Sequence, residues 1–143
     1  MSKTVKPETF AQALKSYLEV YVEDIGEDVE ETSNEIGKEA RDELKQTSPK
    51  KTGRYTKGWS VKKSRKNKSY YTVKIHNETD YQLTHLLEFG HATRNGGRTK
   101  AYSHIRPVEE KYKKEFEKRL ETKIRRRWND ISGIKKKMWK SRF

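Results

Sequence analysis

Apolar residues at helical spacing run through the first third of the chain. The members of this pattern, separated by three, four or seven residues, are Phe10, Leu14, Tyr17, Tyr21, Ile25, Val29, Ile36, Ala40 and Leu44. This spacing lines one face of an α-helix, which we predict from about Pro7 to Thr47. Such a helix extends on the order of 60 Å, so part of it should project or contact another subunit. Because an interior glycine costs about 1 kcal/mol, a break at Gly26 that gives two shorter helices is the alternative.

A pattern of period two follows a turn-rich basic connector. Apolar residues alternate with polar ones in two short runs, separated by a polar turn from Arg65 to Ser69. The apolar members are Trp59, Val61, Tyr71, Val73 and Ile75. This alternation is typical of an antiparallel β-hairpin with one apolar face.

The stretch from Tyr81 to Pro107 predicts a short helix, a loop and the start of a second long helix. Gly90 follows an apolar run and suits a helix end, while Pro107 suits the first residue of the next helix. Beyond it, apolar residues recur at every fourth position: Val108, Tyr112, Phe116, Leu120, Ile124 and Trp128. We expect this stripe to pack on the hairpin.

Together these elements predict an α+β fold. It has a long N-terminal helix, an antiparallel hairpin or small sheet, a short central helix, and a long C-terminal helix packed on the sheet. We expect residues 1–143 to form one domain, with a flexible N-terminus at 1–6, a folded core at 7–128 and a basic extension at 129–143. The extension is either a short helix or a tail that orders on assembly.

The composition predicts a small core. Hydrophobic residues make up 30% of the chain and charged residues 38%, yet eight Tyr, four Phe and three Trp argue against disorder. We therefore expect contacts with other subunits to complete the core. The absence of cysteine excludes disulfides and thiolate metal sites. Apolar runs fall far short of the roughly 20 residues that cross a bilayer, so we expect no membrane partner and no signal peptide.

The net charge of +13 is unevenly distributed. From Glu8 to Glu43, 12 acidic residues stand against three basic ones, whereas Leu44 to Asn77 holds 11 basic residues and no acidic one. This segregation predicts complementary faces, with the acidic first helix of one copy near the basic connector and hairpin of the next. The alternative is two solvated faces of opposite sign.

Two further basic segments are candidate assembly contacts. One is the loop from His91 to Lys100, which we expect to be disordered in the free subunit and ordered on assembly. The other is the C-terminal tail. The residues proposed for contact are Arg94, Arg98, Lys100, Lys135, Lys136 and Lys137.

Glu88 lies at the predicted end of the short helix, where the helix dipole disfavours a carboxylate by about 0.3–1 kcal/mol. We therefore predict a specific partner, either Arg54 or Arg106. The alternative is an ordinary exposed glutamate.

No catalytic or metal-binding pattern is found. The spacings of His76, His85, His91 and His104 fit no common set of metal ligands. Glu88 and His91 form a pair that lacks a nucleophile, and the familiar hydrolase and nucleotide-binding motifs are missing. We predict no enzymatic activity, no metal and no cofactor.

Nucleic-acid binding is the alternative function, because basic residues interleave with aromatic ones. Trp59 and Tyr71 belong to the apolar face of the hairpin, which leaves Tyr55 and Tyr70 as candidates for base stacking. No helix-turn-helix or RNP-type motif accompanies them.

Three short motifs occur in order along the chain. They comprise Pro49, Thr52, Gly53 and Arg54; then Tyr81 with Glu88, Phe89 and Gly90; then Ile105, Arg106 and Pro107. In this order the chain resembles the minor tail-component or neck family of long-tailed bacteriophages, over roughly Phe10 to Leu120. It departs from the family pattern at His104 and Ile105, where members have Pro and an aromatic–Leu pair, and in its basic extension.

The resemblance implies a structural virion protein of the head-to-tail junction, acting in tail completion and joining. Copies would form a ring of six or twelve at the neck or the head-proximal end of the tail. The implied partners are the protein itself, other neck, connector and tail-tube proteins, and DNA passing through the channel. Its location would be the virion, and the host cytoplasm during assembly. No catalysis is implied.

Overall fold

The computed structural model describes residues 7–67 and 70–140. The elements, in chain order, are α1 (Pro7–Thr47), α2 (Arg54–Lys57), β1 (Trp59–Asn67), β2 (Tyr70–Asn77), α3 (Leu83–Phe89) and α4 (Ile105–Lys140). The predicted α+β fold and its order of elements are confirmed. The prediction for residues 1–6 lies outside the described part of the chain.

Helix α1 is continuous from Pro7 to Thr47, so the two-helix alternative with a break at Gly26 is wrong. Gly37 in its second half has a packing role. A Cβ atom there would lie 2.6 Å from Cγ1 of Val73, so only glycine lets β2 approach the helix this closely. The contact made possible by Gly37 thus offsets its low helix propensity.

The two strands form an antiparallel sheet whose inner face lies on α1. The register pairs Val61 with Ile75 and Arg65 with Tyr71, which places the predicted apolar residues on one face. The Tyr71 hydroxyl donates to Oδ1 of Asn34 at 2.7 Å, tying the sheet to the helix. Both strands are longer than the alternation predicted, and residues 68–69 of the expected turn lie outside the description.

Helix α4 runs antiparallel to α1, as a series of ion pairs shows. The pairs are Lys111–Glu43, Arg119–Glu39, Lys123–Glu31 and Arg127–Asp28, with numbers that rise along α4 as they fall along α1. The expected packing on the sheet holds at the first turns, where Val108 joins the cluster around Trp59. Most of α4 lies along α1 instead, and the helix continues past Trp128 to Lys140.

The core is small and lies at one end of the molecule. Its buried members are Ala40, Leu44, Tyr55, Trp59 and Val108, from the second half of α1, α2, the start of β1 and the start of α4. The indole Nε1 of Trp59 donates to Oγ of Ser48 at 2.7 Å. The first half of α1 contributes no member to this cluster. The small size of the core agrees with the low hydrophobic content of 30%.

The ion pairs within the chain correct the role that we expected for the acidic helix α1. From Asp28 onward, several acids of α1 are neutralised by α4 of the same chain, and Glu30 is paired with Arg65 of the hairpin. The expectation that the acidic helix serves a neighbouring copy is therefore corrected for the second half of α1. Acids of the first half are treated below.

We predict that the ion pair between Asp28 and Arg127 stabilises the folded state of the isolated subunit. Asp28 is buried, and the Arg127 guanidinium donates to both of its carboxylate oxygens. This hydrogen bonding lowers the pKa of Asp28 despite the opposing effect of burial. Asp28→Asn should lower the free energy of unfolding by about 1–3 kcal/mol in urea titrations of dilute protein. Asp42→Asn is the control, because Asp42 is exposed. Equal stability of the two variants would contradict the prediction.

Two helical glycines should respond oppositely to alanine. Gly133→Ala meets no atom within 4 Å, so it should raise stability by up to about 1 kcal/mol through helix propensity. Gly37→Ala places its methyl group against Val73 and should lower stability by about 1–3 kcal/mol. Thermal unfolding, monitored by circular dichroism, measures both changes in stability. A Gly37→Ala protein as stable as Gly133→Ala would show that β2 does not constrain this position.

Candidate assembly site at the Glu88 junction

The carboxylate of Glu88, at the end of α3, holds the beginning of α4. It is buried, with 7% of the residue exposed. Its donors are Ser103 Oγ at 2.9 Å, and the backbone amides of His104, Ile105 and Arg106 at 2.8, 2.9 and 2.9 Å. We call this arrangement the Glu88 junction. It satisfies first-turn amides of α4 that have no partner within the helix.

The electrostatics of the junction favour an ionised Glu88. Its position at the C-terminus of α3 is unfavourable, but the positive end of the longer α4 faces the same carboxylate. Burial alone would raise the pKa of Glu88, yet the backbone and Ser103 donors lower it to about 2. The carboxylate is therefore a fixed negative charge at neutral pH, with its oxygens occupied by structural hydrogen bonds.

The predicted partner of Glu88 is correct only in part. Arg106 does bind Glu88, but through its backbone amide, while its guanidinium contacts Glu110 at 3.1 Å. Arg54 was the wrong candidate, because its guanidinium lies 3.5 Å from the Asp80 carboxylate. The alternative of an exposed glutamate is also wrong, since Glu88 is buried.

Tyr55 and His104 form a second part of the junction. The Tyr55 hydroxyl lies 2.8 Å from Nε2 of His104, and the His104 Nδ1 lies 2.8 Å from the carbonyl oxygen of Tyr102. Burial, together with the charge of Glu88, raises the pKa of Tyr55 to about 12. The interpretation of Tyr55 as a base-stacking residue is therefore wrong, because the ring is buried, whereas Tyr70 is exposed.

Sequence reasoning missed the role of this pair. In the sequence, His104 was considered as a metal ligand and as a departure from the family pattern, and Tyr55 as a candidate for base stacking. Their rings pack edge to face at 5.6 Å, and Tyr55 packs in the same way on Trp59. Their separation of 49 positions explains the omission, because no local pattern links such distant residues.

The first motif forms the turn that carries Tyr55 into the core. Gly53 has φ 77°, a conformation that favours glycine, and precedes α2. The Thr52 hydroxyl accepts from the backbone amide of Arg54 at 3.4 Å, and the carbonyl of Pro49 accepts from Thr56 at 3.4 Å. The motif thus positions the connector between α1 and β1.

Residues of the second motif divide into buried and exposed groups. Gly90 has φ 71°, and a Cβ atom there would lie 2.5 Å from the carbonyl oxygen of Thr99, so the chain turn requires glycine. In contrast, Tyr81 is 65% exposed and Phe89 is 67% exposed. Two large aromatic side chains therefore stand in solvent at either end of α3, next to the rigid junction.

The basic loop has its own hydrogen bonds in the single chain. The Thr93 amide donates to the Gly97 carbonyl at 2.9 Å, and the Thr99 amide donates to the His91 carbonyl at 2.8 Å. A bridge also joins Ala92 to Arg98. The structure thus differs from the prediction of a loop that orders only on assembly, because these local bonds close it within one subunit.

The proposed assembly residues occupy two separate places. Arg94, Arg98 and Lys100 are all exposed on the basic loop. The segment 135–137 continues α4, although the side chains of these lysines lie outside the description. Pro107 belongs to the first turn of α4, which begins two residues earlier than predicted, at Ile105. A proline is tolerated there because first-turn amides need no helical acceptor.

Two classes of feature are not found in the described part of the chain. No cluster of three or more His, Asp or Glu side chains could hold a metal ion. No described helix is long and apolar enough to cross a membrane.

Comparison with protein families gives one match. The model of the family described as "Bacteriophage HK97-gp10, putative tail-component" matches residues 12–90, more than half of the chain. The chain belongs to this family. It is therefore a phage tail component, which confirms the resemblance at that level. No curated protein and no solved structure matches the chain.

The HK97 gp10 match ends within the Glu88 junction. It includes the first two motifs, from Pro49 to Arg54 and from Tyr81 to Gly90, and stops at Gly90. The third motif at the start of α4 lies beyond it, so the match is shorter than the predicted span of Phe10 to Leu120. Glu88 thus belongs to the family segment, whereas its donors belong to the part of the chain that follows.

We predict that the junction stabilises the fold through the charge of Glu88. In Glu88→Gln, the side-chain amide group directs N–H donors at backbone N–H donors. The variant should lose about 2–3 kcal/mol of unfolding free energy at neutral pH. Urea unfolding measures the loss. Glu110→Gln, a change at an exposed glutamate of α4, is the control and should stay within about 0.5 kcal/mol of wild type.

The pH dependence provides the second readout. The pKa of Glu88 falls from its ordinary value of 4.5 to about 2 in the folded state. Its contribution is therefore complete above pH 4.5 and is lost as the pH falls through about 2. The stability difference between wild type and Glu88→Gln should shrink by roughly 3 kcal/mol across that interval. A difference independent of pH would show that the carboxylate charge is unimportant.

Proposed function

We propose that this tail component is a structural subunit of the phage head-to-tail junction. In this role, copies form a ring at the neck or the head-proximal end of the tail and take part in tail completion and joining. The observation that carries the proposal is the Glu88 junction in a tail-component chain. This junction holds the end of α3 to the start of α4, next to exposed aromatic side chains and a basic loop. Such an arrangement suits a surface for protein contact.

The exposed aromatic residues support a docking role. A side chain such as Phe89, 67% exposed beside a firmly hydrogen-bonded helix end, keeps apolar area in water that a partner would remove. Aromatic residues and arginines are enriched where protein interfaces derive most of their affinity. Arg94 and Arg98 stand on the basic loop that follows Phe89, so both residue types occur together.

The proposed partners follow from this position in the virion. They are further copies of the chain in a ring of six or twelve, other neck and connector proteins, and tail-tube proteins. Basic residues would face DNA where it passes the channel. The protein would be located in the virion, and in the host cytoplasm during assembly. The proposal assigns no catalytic step to this chain, because Glu88 is engaged in holding α4.

Nucleic-acid binding, the alternative function, has less support from the structure than it had from the sequence. Tyr55, one of its two candidates for base stacking, is buried in the core. Several basic residues of α4, among them Arg119 and Arg127, are bound to acids of α1. Such residues contribute less to phosphate binding than their share of the net charge suggests.

Phages carrying Phe89→Ser should test the proposal. The residue is exposed, so the subunit should keep its stability while losing a contact that joins heads to tails. Electron microscopy of lysates should show separate heads and tails, and the infectious titre should fall, because loss of roughly 1.4 kcal/mol of contact energy weakens the binding constant of the contact about tenfold. Trp128→Ser, at an exposed aromatic residue of α4, is the control.

Two outcomes would contradict the proposal. One is normal joining and normal titre in the Phe89→Ser phage. The other is antibody labelling of wild-type virions that places the protein along the tail or at its distal end, away from the head.

A further inference from the structure

The first half of α1 carries an uncovered apolar stripe. Leu14, Leu18 and Val22 recur at every fourth position and are 46%, 49% and 61% exposed. They line an open groove of about 940 Å³. We call these three residues the N-terminal stripe. Apolar area of this kind on a helix is normally covered by another element.

The groove begins where the chain's own hairpin ends. Arg65, near the tip of β1, lines it together with Glu30, and these two side chains form an ion pair. Among the described residues of the hairpin, Arg65 alone lines the groove. The stripe is therefore an extension of a helix surface that already accepts a hairpin carrying a basic residue.

Acidic side chains border the stripe. Glu19, Glu23 and Glu27 are exposed and line the same groove. Among the described side chains, Glu19 forms an ion pair only with Lys15, at 4.0 Å, and Glu23 forms none. These carboxylates differ from those of the second half of α1, several of which are neutralised by α4. They are available to a basic partner.

The charges disfavour a symmetric contact through this surface. Two copies meeting stripe to stripe would bring three exposed glutamates of each copy together, with only Lys15 of the same groove to offset them, and like charges at an interface cost several kcal/mol. A contact that pairs the stripe with a different, basic surface avoids this repulsion. Contacts of this head-to-tail kind generate rings when the rotation closes.

The outward face of the hairpin supplies such a surface. Lys62 of β1 lies directly opposite Lys74 of β2, and both are exposed. Like charges facing each other across a strand pair destabilise the sheet. Neither lysine contacts an acid among the side chains that the structure describes. This face therefore carries unneutralised positive charge in the isolated subunit.

We propose that the N-terminal stripe of one copy binds the Lys62–Lys74 face of the hairpin of the next copy. The aliphatic stems of the lysines cover Leu18 and its neighbours, while the ammonium groups reach Glu19 and Glu23. Each copy offers both surfaces, so the contact repeats from subunit to subunit. This inference deepens the proposed function, because it rests on the ring and names the faces that build it.

Reversal of a single charge tests the contact. Sedimentation velocity should show that the wild-type chain self-associates at about 0.15 M salt and much less at about 1 M salt. Glu23→Lys should weaken the association roughly tenfold or more. Glu117→Lys is the matched control, because it is an exposed glutamate on the other long helix with no ion pair in the described chain. It should associate like wild type.

Mixing two variants tests the head-to-tail geometry. Lys62→Glu should also associate weakly alone. An equal mixture of Glu23→Lys and Lys62→Glu should recover association, since each chain then meets a complementary charge on the other. A strictly monomeric wild type, normal association of Glu23→Lys, or a mixture without recovery would overturn the inference. Circular dichroism of each variant verifies that the fold is retained.

The two proposals fail separately. If the wild-type chain associates through the stripe but does not lie at the head-to-tail junction in virions, the proposed function fails and the contact stands. If Phe89→Ser separates heads from tails while Glu23→Lys assembles normally, the function stands and the contact fails.

Discussion

The hydrogen bonds of one buried carboxylate determine how the two halves of this molecule are joined. Glu88 ends α3, and its oxygens accept the first amides of α4, so the direction of a 36-residue helix is set at its first turn. An ionised acceptor suits this position because α4 presents the positive end of its dipole. Without it, the buried amides of the first turn would lack partners.

The direction of α4 then decides which charged side chains form ion pairs within the subunit. Because α4 returns antiparallel along α1, its basic residues meet the acids of the second half of that helix. Exposed ion pairs each contribute little, but those of Arg119 and Arg127 are bidentate and partly shielded, which strengthens them. These pairs leave the net charge of +13 unchanged but determine where the unpaired positive charge lies, which includes the segment from Leu44 to Asn77 with its 11 basic residues and no acidic one.

In the same arrangement, the residues that stabilise the fold differ from the exposed residues proposed for assembly. The core and the Glu88 junction lie together at one end, where connector, hairpin and helix starts converge. The first half of α1 and the aromatic residues around α3 remain exposed. The subunit therefore combines a small core with exposed apolar side chains, which agrees with its membership of a tail-component family.

Periodicity in the sequence was sufficient for the bounds of α1, the pairing of the hairpin strands and the order of the elements, because each of these follows from a regular repeat of apolar positions. It gave Arg106 as a candidate partner of Glu88, but it could not identify the backbone amides and the Ser103 hydroxyl that bind the carboxylate, or bring Tyr55 to His104, because no repeat marks such positions. The stripe of α4 was likewise predicted, but its main partner was not, because an apolar face fits either a sheet or a helix. Only the tertiary structure decided these contacts, since they arise when distant segments bury their polar groups together.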